Sequence, residues 1–251
     1  MHCSVHAAAT AFPVWTDRMK QDTAALLVCA GSASRMGGIN KILHPLGDSS
    51  VLLTVLNRFC RCGSISEIIL VCKGSETALF QETVQAARLP LPVRITEGGS
   101  TRQESVRNGF SLISQSCEFA AIHDGARPLV RPSDIERVIA DARRTGAAAL
   151  GVPVKDTVKA VQNGIITATP DRASLYLTQT PQVFSCALYR QAAALAEEQG
   201  RDYTDDCQLI EALGKQVTMT PGDYANIKLT TPEDFAVAEA LLAMQRKDES
   251  I

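Results

Sequence analysis

The chain has 251 residues, 45% of them hydrophobic, which is enough for one large α/β domain or two small ones with a sizeable core. A net charge of −2, with both signs interspersed, supplies no basic surplus and so excludes the usual electrostatic footprint of a nucleic-acid partner. No apolar run approaches the roughly 18–20 residues that cross a bilayer, so no membrane partner is expected.

Residues 1–21 lack the basic n-region and long apolar stretch of a signal peptide and read as a disordered extension, with Met19 an alternative start. Residues 22–245 read as a single domain. Ala24 to Cys29 is an apolar run ending in a Gly/Ser-rich loop, the pattern of a buried strand. Val51, Leu52, Val55, Leu56 and Phe59 have helical spacing, and Glu67 to Cys72 is a second buried strand. A helical stretch over Glu76–Ala87, a short strand over Val93–Ile95 and a helix over Thr101–Ser114 follow. Phe119 to His123 is another apolar strand, closed by Asp124-Gly125; a helix from Ser133 to Arg144 and a strand from Ala147 to Val152 come next. This alternation predicts an α/β fold: a Rossmann-like, mostly parallel twisted sheet with helices on both faces. Such sheets bind ligands beyond the carboxyl ends of their strands.

The pattern changes over residues 153–182. Two β-type segments flank Asn163-Gly164, a strong hairpin signal, and predict a projecting β-hairpin arm suited to dimer contact. Helices over Ala187–Glu198 and Asp205–Leu213, a strand over Gln216–Thr220 and a last helix near Thr231-Pro232 complete the chain, with Thr231 as the expected N-cap and Pro232 at N1. Of the eight cysteines, Cys29 and Cys72 lie in apolar strands, and Cys60 and Cys62 lack a second pair at zinc-finger spacing. Free thiols without a secretory signal imply a reducing compartment, and a cytoplasmic location is expected.

Five segments carry candidate chemistry. The loop from Ala30 to Gly38 follows the first strand directly; its small residues let backbone N–H groups approach a phosphate, and Gly31 brings access to positive φ. Ala33 and Met36 fill the second and third glycine positions, so the loop is neither a dinucleotide fingerprint nor a Walker motif. Arg35 and Lys41 add two cations, which suit a triphosphate; alone they also read as ordinary surface charges. Gly98-Gly99-Ser100-Thr101 forms a tight strand-to-helix turn that accommodates a flat base, with Ser105 available to hydrogen-bond it; a turn plus helix cap is the plainer reading.

Asp124 ends a strand in the expected crevice and is a candidate Mg²⁺ ligand, or else a turn residue; His123 beside it reads as a packed core histidine. Thr157 and Arg172 bracket the hairpin, where Arg172 offers a planar fork to a second phosphate or simply a charge on the arm. Lys228 precedes the last helix and is unremarkable alone.

In this order, Ala30-Gly31 with Arg35-Met36 and Lys41, the Gly98–Gly109 segment, His123-Asp-Gly-Ala-Arg-Pro128, Thr157 with Arg172, and Asn226-Ile-Lys228 resemble the 2-C-methyl-D-erythritol 4-phosphate cytidylyltransferases of non-mevalonate isoprenoid synthesis. The resemblance covers about Ala24 to Leu242. Departures are Ala33 and Ser34 where glycine or arginine is frequent, Asn40 before Lys41, Ser100, Gly125 within the His-Asp motif, and a somewhat short arm.

The resemblance implies CMP transfer from CTP to 2-C-methyl-D-erythritol 4-phosphate with release of pyrophosphate, with Mg²⁺ as cofactor and a homodimer as the working unit. It further implies that Ala30, Gly31, Gly99, Ser100 and Ser105 form the cytosine pocket. Arg35, Lys41 and Asp124-held Mg²⁺ hold the triphosphate, Lys228 sits near the α-phosphate, and Thr157 and Arg172 of the partner subunit grip the acceptor. A ribitol 5-phosphate acceptor is the nearest alternative. An NAD-dependent oxidoreductase is disfavoured because Lys73-Gly-Ser75, with no acid, follows the second strand. A non-catalytic module would have lost a charged site residue, and none is missing.

Overall fold

The structure, a computed structural model, describes residues 20–31 and 40–248. The expected extension therefore lies, except for Lys20 and Gln21, outside the described residues, as does Arg35. A seven-stranded sheet is the frame, built from β1 (Thr23–Val28), β4 (Ile65–Cys72), β5 (Val93–Glu97), β6 (Phe119–Asp124), β7 (Ala147–Pro153), β10 (Tyr176–Ser185) and β11 (Thr218–Pro221). Their spatial order is β11-β7-β10-β6-β1-β4-β5. β1 pairs in parallel with β4 and β6, β4 with β5, and β7 with β11, while β10 runs antiparallel to both β6 and β7. Two short strands, β2 (Pro45–Leu46) and β3 (Ser49–Ser50), make a separate ribbon ahead of the first helix.

Because successive strand residues face opposite sides, the apolar strands feed two cores. Ala25, Leu27, Ile68, Leu70 and Ala121 pack on one side with α1 (Val51–Cys60), α4 (Pro132–Thr145) and α7 (Glu233–Asp248), together with Phe80 of α2 (Thr77–Ala87). Ala24, Leu26, Ile69, Val71 and Phe184 pack on the other with α3 (Arg102–Phe110), α5 (Cys186–Glu198) and α6 (Asp206–Ala212). Helices start where short polar side chains satisfy their free N–H groups: Ser50 accepts from Leu53 N, Thr101 from Glu104 N, Ser185 from Leu188 N and Asp205 from Gln208 N. At the last helix Asp234, three residues after Thr231, reaches back and accepts from the backbone N–H of Thr230 and Thr231, the reciprocal half of a capping box around the expected N-cap.

The hairpin stands where Asn163-Gly164 indicated it, between β8 (Ala160–Gln162) and β9 (Ile165–Ala168), with φ of 52° and 79° at the two turn residues, as a two-residue primed turn requires. Its extent needs correction. The exposed segment ends before Gln179, and Tyr176–Ser185 is not arm but β10, a central strand with Val183 and Phe184 fully buried. Pro181 and the polar run Gln179-Thr180 disguise it, since proline interrupts a ladder. The structure shows that cost as a register shift between Thr178 and Gln182.

Candidate active site

The carboxyl end of β6 delivers Asp124 into a cluster of cations. Its Oδ2 lies 2.7 Å from Lys228 Nζ and 3.8 Å from Arg127 Nε, and its Oδ1 lies 3.7 Å from Arg102 Nη2. Burial alone would push this carboxyl up, but Lys228, then Arg102 and Arg127, reverse that and hold it at about 2. Arg102 is shared: its Nη1 is 2.6 Å from Oδ2 of Asp206, whose Oδ1 accepts from the Tyr189 hydroxyl at 2.8 Å. Two buried carboxylates therefore hold Arg102 between them.

A second set of bonds fixes the loop that carries Asp124. The Asp124 N–H donates to Thr180 Oγ1 at 3.0 Å, so the Thr180 hydroxyl is left to donate to His123 Nδ1, also at 3.0 Å. His123 Nε2 is 3.0 Å from the Arg127 carbonyl, which can only accept, so the proton sits on Nε2. One neutral tautomer satisfies all three bonds. Burial lowers the His123 pKa to about 4, and Phe59 packs on the ring at 5.0 Å. His123 is thus a core histidine that closes the loop from 123 to 127.

Lys41 joins the same region from the other end of the chain. Its Nζ donates to the Leu229 carbonyl at 3.1 Å, and Leu229 N in turn donates to the Ala126 carbonyl at 2.8 Å. Lys41, Lys228 and Asp124 are therefore tied together within three consecutive links. Arg127 Nη1 completes the arrangement by donating to the Asn226 carbonyl at 2.7 Å.

Beside it, the strand-to-helix turn after β5 is packed too tightly for side chains. A Cβ on Gly98 would lie 2.5 Å from the Ala30 Cβ and 2.9 Å from Ser105 Oγ, and one on Gly99 would meet Glu104 at 2.1 Å. Ser105 Oγ accepts from Gly99 N and donates to the Thr101 carbonyl, and Glu104 accepts from both N and Oγ of Ser100. The turn thus presents backbone in place of side chains next to Ala30. Gly31 does not use its freedom: its φ is not positive, and a Cβ there would meet nothing within 4 Å among the described residues.

A model of the 2-C-methyl-D-erythritol 4-phosphate cytidylyltransferase family, IspD, matches residues 23–244. The chain belongs to this family. A curated 2-C-methyl-D-erythritol 4-phosphate cytidylyltransferase of Syntrophotalea carbinolica is 46% identical over 86% of this chain and 94% of its own length. One from Desulforamulus reducens is 43% identical over 87% and 94%. Among solved structures, the 4-diphosphocytidyl-2C-methyl-D-erythritol synthase of Anaerococcus prevotii superposes with a TM-score of 0.80 at 28% identity, covering 89% of this chain and 99% of that one. The Thermus thermophilus cytidylyltransferase gives 0.70 at 32% identity, over 86% and 97%.

Among the residues expected to act in this family, Lys41, Lys228 and Asp124 form one connected group, and Ala30, Gly99, Ser100 and Ser105 surround the adjacent turn. Thr157 and Arg172 lie apart on the exposed arm. Arg172 Nη1 donates to the Lys155 carbonyl at 2.6 Å, and no bond among the described residues links either one to Asp124. Four residues escaped the sequence reading: Arg102, Arg127, Thr180 and Asp206. Arg102 and Arg127 lie inside the Gly98–Gly109 and His123–Pro128 motifs, so a search for anion-binding arginines within those motifs would have found them. Thr180 and Asp206 carried no comparable signal. As for a metal, no group of three or more His, Cys, Asp or Glu side chains forms a site among the described residues. The chemistry of Asp124 fits a cation held chiefly by nucleotide phosphates, since Mg²⁺ commonly takes one or two carboxylates plus phosphate oxygens.

Proposed function

We propose that this chain transfers CMP from CTP to 2-C-methyl-D-erythritol 4-phosphate. The acceptor phosphate oxygen forms a bond to the α-phosphorus of CTP, the bond from that phosphorus to the bridging oxygen of the β-phosphate breaks, and pyrophosphate leaves with the electron pair. The acceptor is already an anion, so no general base is needed, and the barrier is repulsion between polyanions plus charge build-up at the reacting phosphorus. Positive charge fixed in place is what such a reaction requires. The observation that carries the reading is the junction of Lys228, Asp124 and Lys41 at the end of β6.

In this reading Lys41 and Arg35 bind the β- and γ-phosphates, and Lys228 stabilises charge at the α-phosphate. Arg102 and Arg127 keep Asp124 ionised and aimed. Asp124 would hold Mg²⁺, which would neutralise phosphate charge. Ala30, Gly31, Gly99, Ser100 and Ser105 receive the cytosine ring. Arg172 and Thr157 grip the acceptor phosphate from the arm of a second subunit. Support for a homodimer comes from the arm's exposed apolar residues, with Val161, Ile165 and Ile166 57%, 70% and 59% exposed.

A cytoplasmic setting is consistent with the seven described cysteines, all free thiols. No helix among the described residues is long and apolar enough to cross a membrane. The test is pyrophosphate release from Mg-CTP with 2-C-methyl-D-erythritol 4-phosphate and, in parallel, ribitol 5-phosphate. Turnover with the first and little with the second is the expected result; the reverse preference overturns the acceptor assignment.

A further inference from the structure

The arm leaves the body of the protein through Pro153 and Lys155, and one aromatic side chain grips it there. Tyr224 lies four residues ahead of Lys228 in the same connecting segment. Its hydroxyl donates to the Pro153 carbonyl at 2.7 Å, and the Lys155 ammonium sits 3.5 Å from its ring centroid. The Lys155 carbonyl accepts from Arg172 Nη1 at 2.6 Å. No other partner engages the Arg172 guanidinium among the described residues, and Arg172 is exposed, which leaves the rest of its fork open to an oxyanion.

The main chain around Tyr224 is held independently. Gln179 Nε2 donates to the Asp223 carbonyl at 2.8 Å, and Asn226 Nδ2 donates to the Thr180 carbonyl at 3.0 Å. Arg131 Nε lies 3.3 Å from Asp223 Oδ2. With its backbone anchored on both sides, the Tyr224 side chain is not needed to shape the segment. It is 41% exposed, and it reaches the base of the arm with both its hydroxyl, at Pro153, and its ring face, at Lys155.

We infer that Tyr224 and Lys155 are positioning residues that set Arg172 of the arm for the acceptor phosphate while touching neither substrate. The inference rests on the acceptor role proposed above for Arg172. It predicts an effect confined to one substrate. Tyr224→Phe keeps the ring and removes the hydroxyl bond, Lys155→Met removes the charge and keeps the carbonyl that Arg172 uses, and Tyr224→Leu removes both contacts.

Steady-state kinetics should show the acceptor KM rising about tenfold in Tyr224→Leu and about threefold in each milder variant. The KM for CTP and kcat should stay within about twofold of wild type, since neither depends on the arm's register. Hydrogen exchange over residues 155–175 should quicken in Tyr224→Leu at an equal dimer fraction. An unchanged acceptor KM, a CTP KM that rises in step with it, or unaltered exchange in the arm overturns the clamp. If wild-type protein makes no pyrophosphate from CTP and 2-C-methyl-D-erythritol 4-phosphate, the proposed function fails instead, and the exchange measurement still decides the clamp.

Discussion

Replacing Asp124 with asparagine keeps the side chain's size and removes its charge, which isolates what that charge does. Lys228 at 2.7 Å, Arg102 at 3.7 Å and Arg127 at 3.8 Å then face one another without their shared counter-ion. In the folded protein the carboxyl titrates at about 2, below its ordinary range, so its ionised form stabilises the fold by about 2.5 kcal/mol. The sign follows: this contribution is complete above about pH 4 and is lost as pH falls through the folded value near 2. The three cations are not equally harmed. The Lys228 side chain is 42% exposed and can rehydrate, and Arg102 keeps Asp206, so the burden falls on Arg127, whose side chain is 13% exposed.

A total loss of about 2–4 kcal/mol is expected in Asp124→Asn, a drop of roughly 5–12 °C in Tm for a domain of this size. Turnover should fall by roughly 10²-fold or more. A further consequence separates charge from geometry. The unneutralised cluster should welcome CTP phosphates in their place, so CTP without metal should raise the Tm of Asp124→Asn more than that of wild type. Differential scanning fluorimetry with and without CTP, alongside pyrophosphate release, reads all three. A variant with Tm within about 2 °C of wild type, kcat within about threefold and no added response to CTP would refute the reasoning.

Lys41→Ala should lower kcat by roughly 10²-fold with the fold intact, because Lys41 is only half-buried and its ammonium meets the Leu229 carbonyl at the site; near-normal turnover with normal circular dichroism would show the centre misplaced. Burial lowers His123 to about 4, so the unfolded chain takes up a proton that the folded one refuses as pH falls from about 6.5 to 4, and up to about 3 kcal/mol of stability is lost over that window. Urea midpoints at pH 7 and pH 4.5 should therefore differ more for wild type than for His123→Gln; equal differences would count against it. Ile165→Lys places a charge on the most exposed of the arm's apolar residues and should shift the protein toward monomer in sedimentation velocity, with acceptor KM rising as the partner's arm is withdrawn.

Most of the sheet was legible because its strands are buried on both faces and so read as unbroken apolar runs bounded by glycine or polar loops; Ala24 to Cys29 and Glu67 to Cys72 are of this kind. The helical spacing of Val51, Leu52, Val55, Leu56 and Phe59 marked its helix, and Asn163-Gly164 announced its turn. β10 was hidden for a physical reason. Its middle, Gln179 to Gln182, bonds to site loops through Thr180 and Gln182, and that requires polar side chains where a core strand normally carries apolar ones. The same exchange of pattern for function concealed Asp206, fully buried at a helix start, where sequence alone suggests a solvated cap. Arg102 and Arg127 were visible as residues but not as partners, since their pairing with Asp124 joins segments that only the fold brings together.

If the cluster receives a triphosphate, as proposed, its charge balance explains how it persists without one. Three cationic side chains share Asp124, and Asp206 takes up part of one of them, so two carboxylates restrain three positive groups and Lys41 adds a fourth nearby. If the carboxylates were absent, burying these cations would be prohibitive; if they matched the cations in number, little attraction for phosphate would remain. The arrangement lies between these limits: of the three cations on Asp124 only Arg102 is held by a second carboxylate, so the excess falls on Lys228 and Arg127. Lys228 is also the most exposed of the cations on Asp124, so it can turn from carboxylate to phosphate with the smallest loss, while Arg102 and Arg127 keep Asp124 in place. On the proposed reading, the charge Lys228 brings to the α-phosphate is stored on a partner it can leave, and the two arginines make that exchange reversible.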